Sequence, residues 1–190
     1  NHLRAVGELT PTDAPASVDA ETAYPTLKKG DSGLVVGWLE RRLAAASYAP
    51  GPVDGVLDGN TVDAIMAFQK VQGLERNGTA TDAVQRRLAS ATPPRPKKSV
   101  SGNRVEIDLT RQVLFFIRNN RVDWTIPIAS GAPGTRTPTG TFSIQRKLPY
   151  WRESHLGLLY KPSYFYGGYA IHGSKSVPPY PASHGCVRTA

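Results

Sequence analysis

The chain has 190 residues, with 23 Lys and Arg against 15 Asp and Glu, and a formal net charge of +8. Hydrophobic residues make up 39% and charged residues 20%, the balance of a globular chain rather than a disordered one. No apolar run approaches the roughly 18–20 residues of a membrane-spanning helix, and the scattered basic residues carry no nucleic-acid-binding motif, so the charge fits a polyanionic surface or a solvated one but no nucleic acid.

Residues 1–26 are rich in Thr, Pro, Ala, Asp and Glu and lack apolar periodicity. That composition predicts a disordered tail. The chain begins at Asn1 with no charged-then-apolar leader, which reads as a mature or trimmed product and leaves open a signal or anchor removed before Asn1.

Residues 27–90 predict a small three-helix domain. Val35, Leu39 and Leu43 recur at helical spacing, as do Val62, Ile65, Phe68 and Val71, and then Val84 and Leu88. Asn60 or Thr61 is the candidate N-cap of the second helix and Gly73 its stop, while Thr81 or Asp82 caps the third. Residues 91–102 hold three prolines and three positive charges, a pattern that predicts an extended, semi-rigid linker.

From 103 to 190 the period shortens to two. Val105, Ile107 and Leu109 alternate, and Val113, Phe115 and Ile117 line one face with Leu114 and Phe116 on the other. Apolar residues on both faces predict a strand covered on both sides. Asn119-Asn120 marks a turn before Val122, Trp124, Ile126 and Ile128, and the alternation continues through Phe142, Ile144 and Tyr169–His172. The fold class is therefore α+β multidomain: a three-helix N-terminal domain, a Pro-rich linker and a mainly-β C-terminal domain.

The single cysteine excludes an internal disulfide. It sits in Ser183-His184-Gly185-Cys186-Val187-Arg188, with His172 14 positions upstream at the end of a predicted strand. A cysteine nucleophile needs a base within hydrogen-bond reach to become a thiolate near neutral pH, well below its intrinsic pKa of about 8.5. Histidine has the right pKa for that work. A glycine beside the cysteine lets substrate approach the backbone and lets N–H groups point inward. On composition alone, a buried structural cysteine with two unrelated histidines is an equal reading, and a zinc site built from Cys186, His184 and His172 is a weaker one because paired ligand spacing is lacking.

The run from Ile171-His172-Gly173 to Ser183-His184-Gly185-Cys186-Val187-Arg188, together with Thr137-Pro138-Thr139-Gly140-Thr141-Phe142, resembles the catalytic domain of the L,D-transpeptidase (YkuD-like) family over residues 103–190. The resemblance implies acyl transfer on peptidoglycan stem peptides. It implies Cys186 as nucleophile, His172 as general base, the Gly173 carbonyl as orienter of that base, and His184 with the Gly185 and Cys186 amides as oxyanion stabilisers. Ser183 is a candidate for substrate binding, Arg188 for bracing the loop or binding a substrate carboxylate, and Tyr160 for the donor groove or for packing. Leu27–Gly33, Val53-Asp54-Gly55, Ala64–Gln69 and Gly73-Leu74 resemble the three-helix peptidoglycan-binding module. Together these imply a wall-targeted cysteine acyltransferase, extracytoplasmic or secreted, acylated by carbapenem-type inhibitors, with neither metal nor organic cofactor. An L,D-carboxypeptidase and a non-catalytic wall-binding protein are the alternatives. Relatives usually continue beyond the nucleophile loop, whereas this chain ends four residues past Cys186, which raises the expectation of a C-terminally truncated domain.

Overall fold

The computed structural model describes residues 23–190, so most of the predicted tail lies outside the described residues. The first described residues are held rather than free. The Tyr24 ring stacks on Trp38 at 5.5 Å, its amide donates to Asp82 Oδ1 at 2.8 Å, and Gln85 Nε2 donates to Pro25 O.

Three helices follow: α1 (Leu34–Ala45), α2 (Gly59–Gln72) and α3 (Asp82–Ala89). In α1 the buried stripe is Val36, Leu39 and Leu43, while Val35 turns outward. Asp58 caps α2, its carboxylate accepting from the Thr61 amide at 2.9 Å, so the cap falls two residues before the predicted Asn60. An aspartate there also sets its charge against the positive helix end. Gly73 ends α2 and Thr81 caps α3, as the sequence predicts. Ile65, Phe68, Val84 and Leu88 join Leu39 and Leu43 in one core.

Residues 91–102 form no regular element, but they are pinned along the next strand. The Glu106 carboxylate accepts from the Lys97 amide at 2.7 Å, and Lys97 Nζ pairs with Asp108 at 2.9 Å. Strands β1 (Arg104–Asp108), β2 (Val113–Arg118) and β3 (Arg121–Pro127) make an antiparallel meander. Asn119 and Asn120, at φ 49° and 58°, form the tight β2–β3 turn. The register slips between Phe116 and Ile117, which pair with Trp124 and Val122. This bulge at Asp123 takes Val122 off the face that the alternation predicts it to share with Trp124, Ile126 and Ile128. Val122 joins Val113, Phe115 and Ile117 on one face, while Trp124 is 55% exposed and packs edge-on against Phe116.

The predicted strand through Phe142 and Ile144 does not form: residues 141–145 are irregular and both side chains are exposed. The second sheet instead runs β4 (Arg146–Lys147), β6 (Gly157–Tyr166), β7 (Tyr169–Gly173) and β8 (Val187–Thr189), with β5 (Trp151–Ser154) also paired to β6. Strands β7 and β8 are parallel.

The layers explain the two-faced hydrophobicity of β2. Val113, Phe115 and Ile117 pack toward Val71 of α2, and Leu114 packs toward Ile128, just past β3, and toward Phe165 and Val187 of the second sheet. The helical domain is therefore docked on the β domain. Thr125 N donates to Ser47 O at 2.8 Å, and Lys70 Nζ donates across the interface to the carbonyls of Gln112 and Ile128 at 3.1 and 2.8 Å. A third cluster, Leu159, Tyr164 and Ala170 with Cys186 against it, lies on the far face of the second sheet.

Candidate active site

The parallel β7–β8 pair sets His172 opposite Arg188. Side chains alternate along each strand, so Ala170 and His172 share the face of β7 that points away from the inter-sheet core. Cys186 immediately precedes β8 and packs on Ala170, which brings the thiol to that same face. His172, His184, Cys186, Arg188 and Ser183 all line one cavity of about 310 Å³.

His172 is 6% exposed, and its Nδ1 lies 2.8 Å from the Gly173 carbonyl oxygen. A carbonyl only accepts, so Nδ1 carries the proton and Nε2 is the nitrogen left for other work. Burial lowers the His172 pKa from its ordinary 6.5; the hydrogen bond to Gly173 works against that and the Arg188 charge works with it. Burial pushes the Cys186 thiol up, opposed by the Ala170 backbone hydrogen bond and by Arg188. Both shifts favour the neutral pair. Burial therefore works against the thiolate expected from the sequence and toward a thiol beside a neutral imidazole.

Hydrogen bonds shape the loop 183–186. Ser183 Oγ donates to Cys186 O at 2.5 Å and accepts from the Gly185 amide at 3.0 Å. Ser183 is 2% exposed, so its hydroxyl braces the loop. The Gly185 amide is committed to Ser183, while the His184 and Cys186 amides of the loop have no protein acceptor among the described residues. Thr137 Oγ1 accepts from Gly131 N at 2.9 Å and donates to Gly185 O at 2.8 Å. Thr135 Oγ1 donates to Ser183 O at 2.9 Å. Gly185 has φ 108°, and a Cβ there would lie 2.4 Å from the Tyr169 ring, so conformation and space both require glycine.

Comparison with known proteins follows the same division of the chain. Residues 102–190 match the model of the YkuD L,D-transpeptidase catalytic domain, and residues 32–89 match that of a putative peptidoglycan binding domain. A solved L,D-transpeptidase structure from Xylanimonas cellulosilytica is 37% identical, covers 89% of this chain and 88% of its own, and superposes with a TM-score of 0.83. The chain belongs to the L,D-transpeptidase family. An L,D-transpeptidase from Stackebrandtia nassauensis is 25% identical over 88% of this chain and 86% of its own, with a TM-score of 0.47. The curated N-acetylmuramoyl-L-alanine amidase CwlL of Bacillus licheniformis is 30% identical over 103 residues, 53% of this chain, and the match spans 29% of that protein's length.

Not every residue singled out from the sequence of this L,D-transpeptidase family member reaches the Cys186 cavity. Tyr160 lines a separate cavity of about 400 Å³, with Gly173 and His172, and its ring packs at a tilt against Trp151 at 4.8 Å. His155 does line the Cys186 cavity, on the β5–β6 turn with Leu156 and Leu158. Among the described residues, no group of three or more His, Cys, Asp or Glu is arranged to hold a metal. No described helix is long and apolar enough to cross a membrane.

Several residues that shape the loop carry no signal of their own in the sequence. Thr137 lies in the Thr-Pro-x-Gly segment, so a motif marks its place if not its role. Ser130 and Gln112 lie in no motif, yet Ser130 O accepts from both Ala182 N and Ser183 N at 2.9 Å, and Gln112 Oε1 accepts from Ser130 N at 2.8 Å.

Proposed function

We propose that this chain is a peptidoglycan L,D-transpeptidase in which Cys186 attacks the stem peptide and His172 moves the protons. The observation that carries the reading is the His172 ring: Nδ1 is tied to the Gly173 carbonyl, which leaves Nε2 as the base in the cavity that Cys186 lines.

Nε2 takes the thiol proton as the sulfur attacks the carbonyl carbon preceding the terminal D-residue of a tetrapeptide stem. The Cys186 amide, assisted by His184, stabilises the oxyanion that forms. The tetrahedral centre collapses, the C–N bond breaks, and the leaving amine takes the proton back from Nε2. The product is a thioester on Cys186 and a free D-amino acid. An amine of a second stem then attacks the thioester, gives its proton to His172, and displaces the thiolate. The result is a cross-link with Cys186 regenerated. Arg188, at the cavity wall beside both reacting side chains, receives a substrate carboxylate. The helical domain holds the enzyme on the wall, outside the cytoplasm, and carbapenem-type compounds acylate Cys186.

The test incubates the protein and a Cys186→Ala variant with disaccharide-tetrapeptides and weighs the products. Dimers formed only by the unmodified protein support the proposal. Shortened monomers without dimers make it a carboxypeptidase. The absence of any product from either leaves a wall-binding protein and sinks the catalytic reading.

A further inference from the structure

The Cys186 loop is held from behind by residues that do not line the cavity and belong to neither motif. Gln112 sits at φ 61° at the end of the β1–β2 turn and is 1% exposed. Its side-chain amide is fully used. Nε2 donates to Leu109 O at 2.6 Å and to Ser130 Oγ at 2.7 Å, and Oε1 accepts from Ser130 N at 2.8 Å. Ser130 O in turn accepts from Ala182 N and Ser183 N at 2.9 Å. Ser183 then grips Gly185 N and Cys186 O. Behind Gln112 stands Lys70 of α2, 1% exposed, whose Nζ donates to Gln112 O and to Ile128 O.

We infer that Lys70 and Gln112 are positioning residues for the nucleophile, setting the Cys186 loop through Ser130 and Ser183, so that the helical domain is a working part of the catalytic site. This inference rests on the proposed role of Cys186. Its physical basis is continuity. The links from Lys70 through Gln112 and Ser130 to Ser183 are hydrogen bonds between buried groups, the last one to Cys186 O being part-buried, and a buried donor or acceptor left unmatched moves its neighbours or forfeits its partner. Lys70 is a point donor that bridges two carbonyls of adjacent β-domain segments, a geometry that apolar packing does not reproduce. A second contact reaches the same region: Arg76, just beyond α2, donates to Pro179 O in the segment leading into the loop.

Three variants separate positioning from simple loosening. Gln112→Asn keeps a residue type that tolerates positive φ but shortens the amide by one methylene, out of reach of Ser130. Lys70→Met keeps the length and removes the donors. Val71→Ala thins the apolar interface beside Lys70 without touching the hydrogen-bonded chain. Each is assayed for kcat and KM on the tetrapeptide, for the rate of Cys186 alkylation by iodoacetamide, and for its melting temperature.

Gln112→Asn and Lys70→Met are expected to lower kcat by about tenfold or more, since a misplaced reacting group loses rate steeply. KM should stay within about twofold, because binding contacts are untouched. Their alkylation rates should also change, while Val71→Ala melts earlier with kcat and alkylation unchanged. The inference is overturned if Gln112→Asn, assayed well below its melting temperature, keeps the kcat and alkylation rate of the unmodified protein. It is equally overturned if Val71→Ala loses kcat in proportion to its lost stability. Should the unmodified protein turn over no tetrapeptide, the proposed function fails, and alkylation alone then decides whether Gln112 and Lys70 set the loop.

Discussion

His172 donates from Nδ1 to the carbonyl of Gly173, its own neighbour in the chain, at 2.8 Å. A backbone carbonyl carries no ionisable charge, so it fixes the tautomer without holding the ring protonated. Desolvation then decides the charge, and it lowers the pKa below 6.5. His172 must be neutral to accept the thiol proton. The kcat/KM profile is therefore expected to rise with pH through a midpoint below 6.5 and to lose activity only as pH falls through that value. Folding stability follows the same sign: the unfolded chain protonates first, so this contribution is present above 6.5 and lost below it. His172→Gln should lower kcat by roughly 10²–10⁴-fold and remove the acid limb. An acid limb centred above pH 7 would contradict this account.

The thiol is shifted the other way. Burial raises the Cys186 pKa against the opposing Ala170 and Arg188 contributions. Alkylation of the free protein should therefore climb only above the ordinary thiol value of about 8.5. Turnover at neutral pH then depends on proton transfer to His172 within the substrate complex rather than on a standing thiolate. A stopped-flow alkylation series across pH reads this directly. A midpoint below 7 would show a thiolate–imidazolium pair at rest and overturn it.

The proposed nucleophile and base were legible in the sequence because each lies in a short motif, whereas the parallel pairing of β7 with β8 that brings them to one cavity was not. Helix existence was legible for the same local reason, since Leu39, Leu43, Ile65 and Phe68 mark core faces by spacing alone. The misplacements were also local in cause. Val36 rather than Val35 faces inward because the first helix turn sets the phase of the stripe. Val122 leaves the face of Ile126 and Ile128 because a bulge at Asp123 leaves no periodic trace in an otherwise alternating strand. The bracing of the loop was not legible at all. Thr137 meets Gly185, Gln112 meets Ser130 and Lys70 meets Ile128 across 48, 18 and 58 positions of chain, respectively. Their residue types say only that they can form hydrogen bonds.

Thr137 makes one of those long-range links testable. Its hydroxyl accepts from Gly131 N and donates to Gly185 O, and the residue is 6% exposed. Valine has the same shape without the hydroxyl, so Thr137→Val leaves a buried N–H and a buried C=O unmatched. Each such group costs about 1–3 kcal/mol. A loss of roughly 2 kcal/mol should lower the melting temperature by several degrees in a chain of this size. Because Gly185 adjoins the proposed nucleophile, kcat should fall with it. Calorimetry and a product assay on the same preparation check both. Unchanged melting would mean that water replaces the hydroxyl and that the link contributes little.

The last prediction concerns the docking of the two domains. The face of β2 and β3 formed by Val113, Phe115, Ile117 and Val122 is covered in part by Val71 of α2, and each of the four is at most 5% exposed. Keeping such a side chain from water is worth about 1.5–3 kcal/mol when burial is complete. A β domain produced alone, residues 103–190, would present this face to solvent as one apolar patch, and it would also lose the Lys70 bridge to Gln112 and Ile128. It is expected to self-associate, and to melt well below the full chain at concentrations where it stays monomeric. Sedimentation and thermal melts of both proteins measure this. If residues 103–190 remained a monomer with an unchanged melting temperature, the helical domain would be a tether for the β domain rather than part of its fold. The interface would then owe its apolar character to some purpose other than stability.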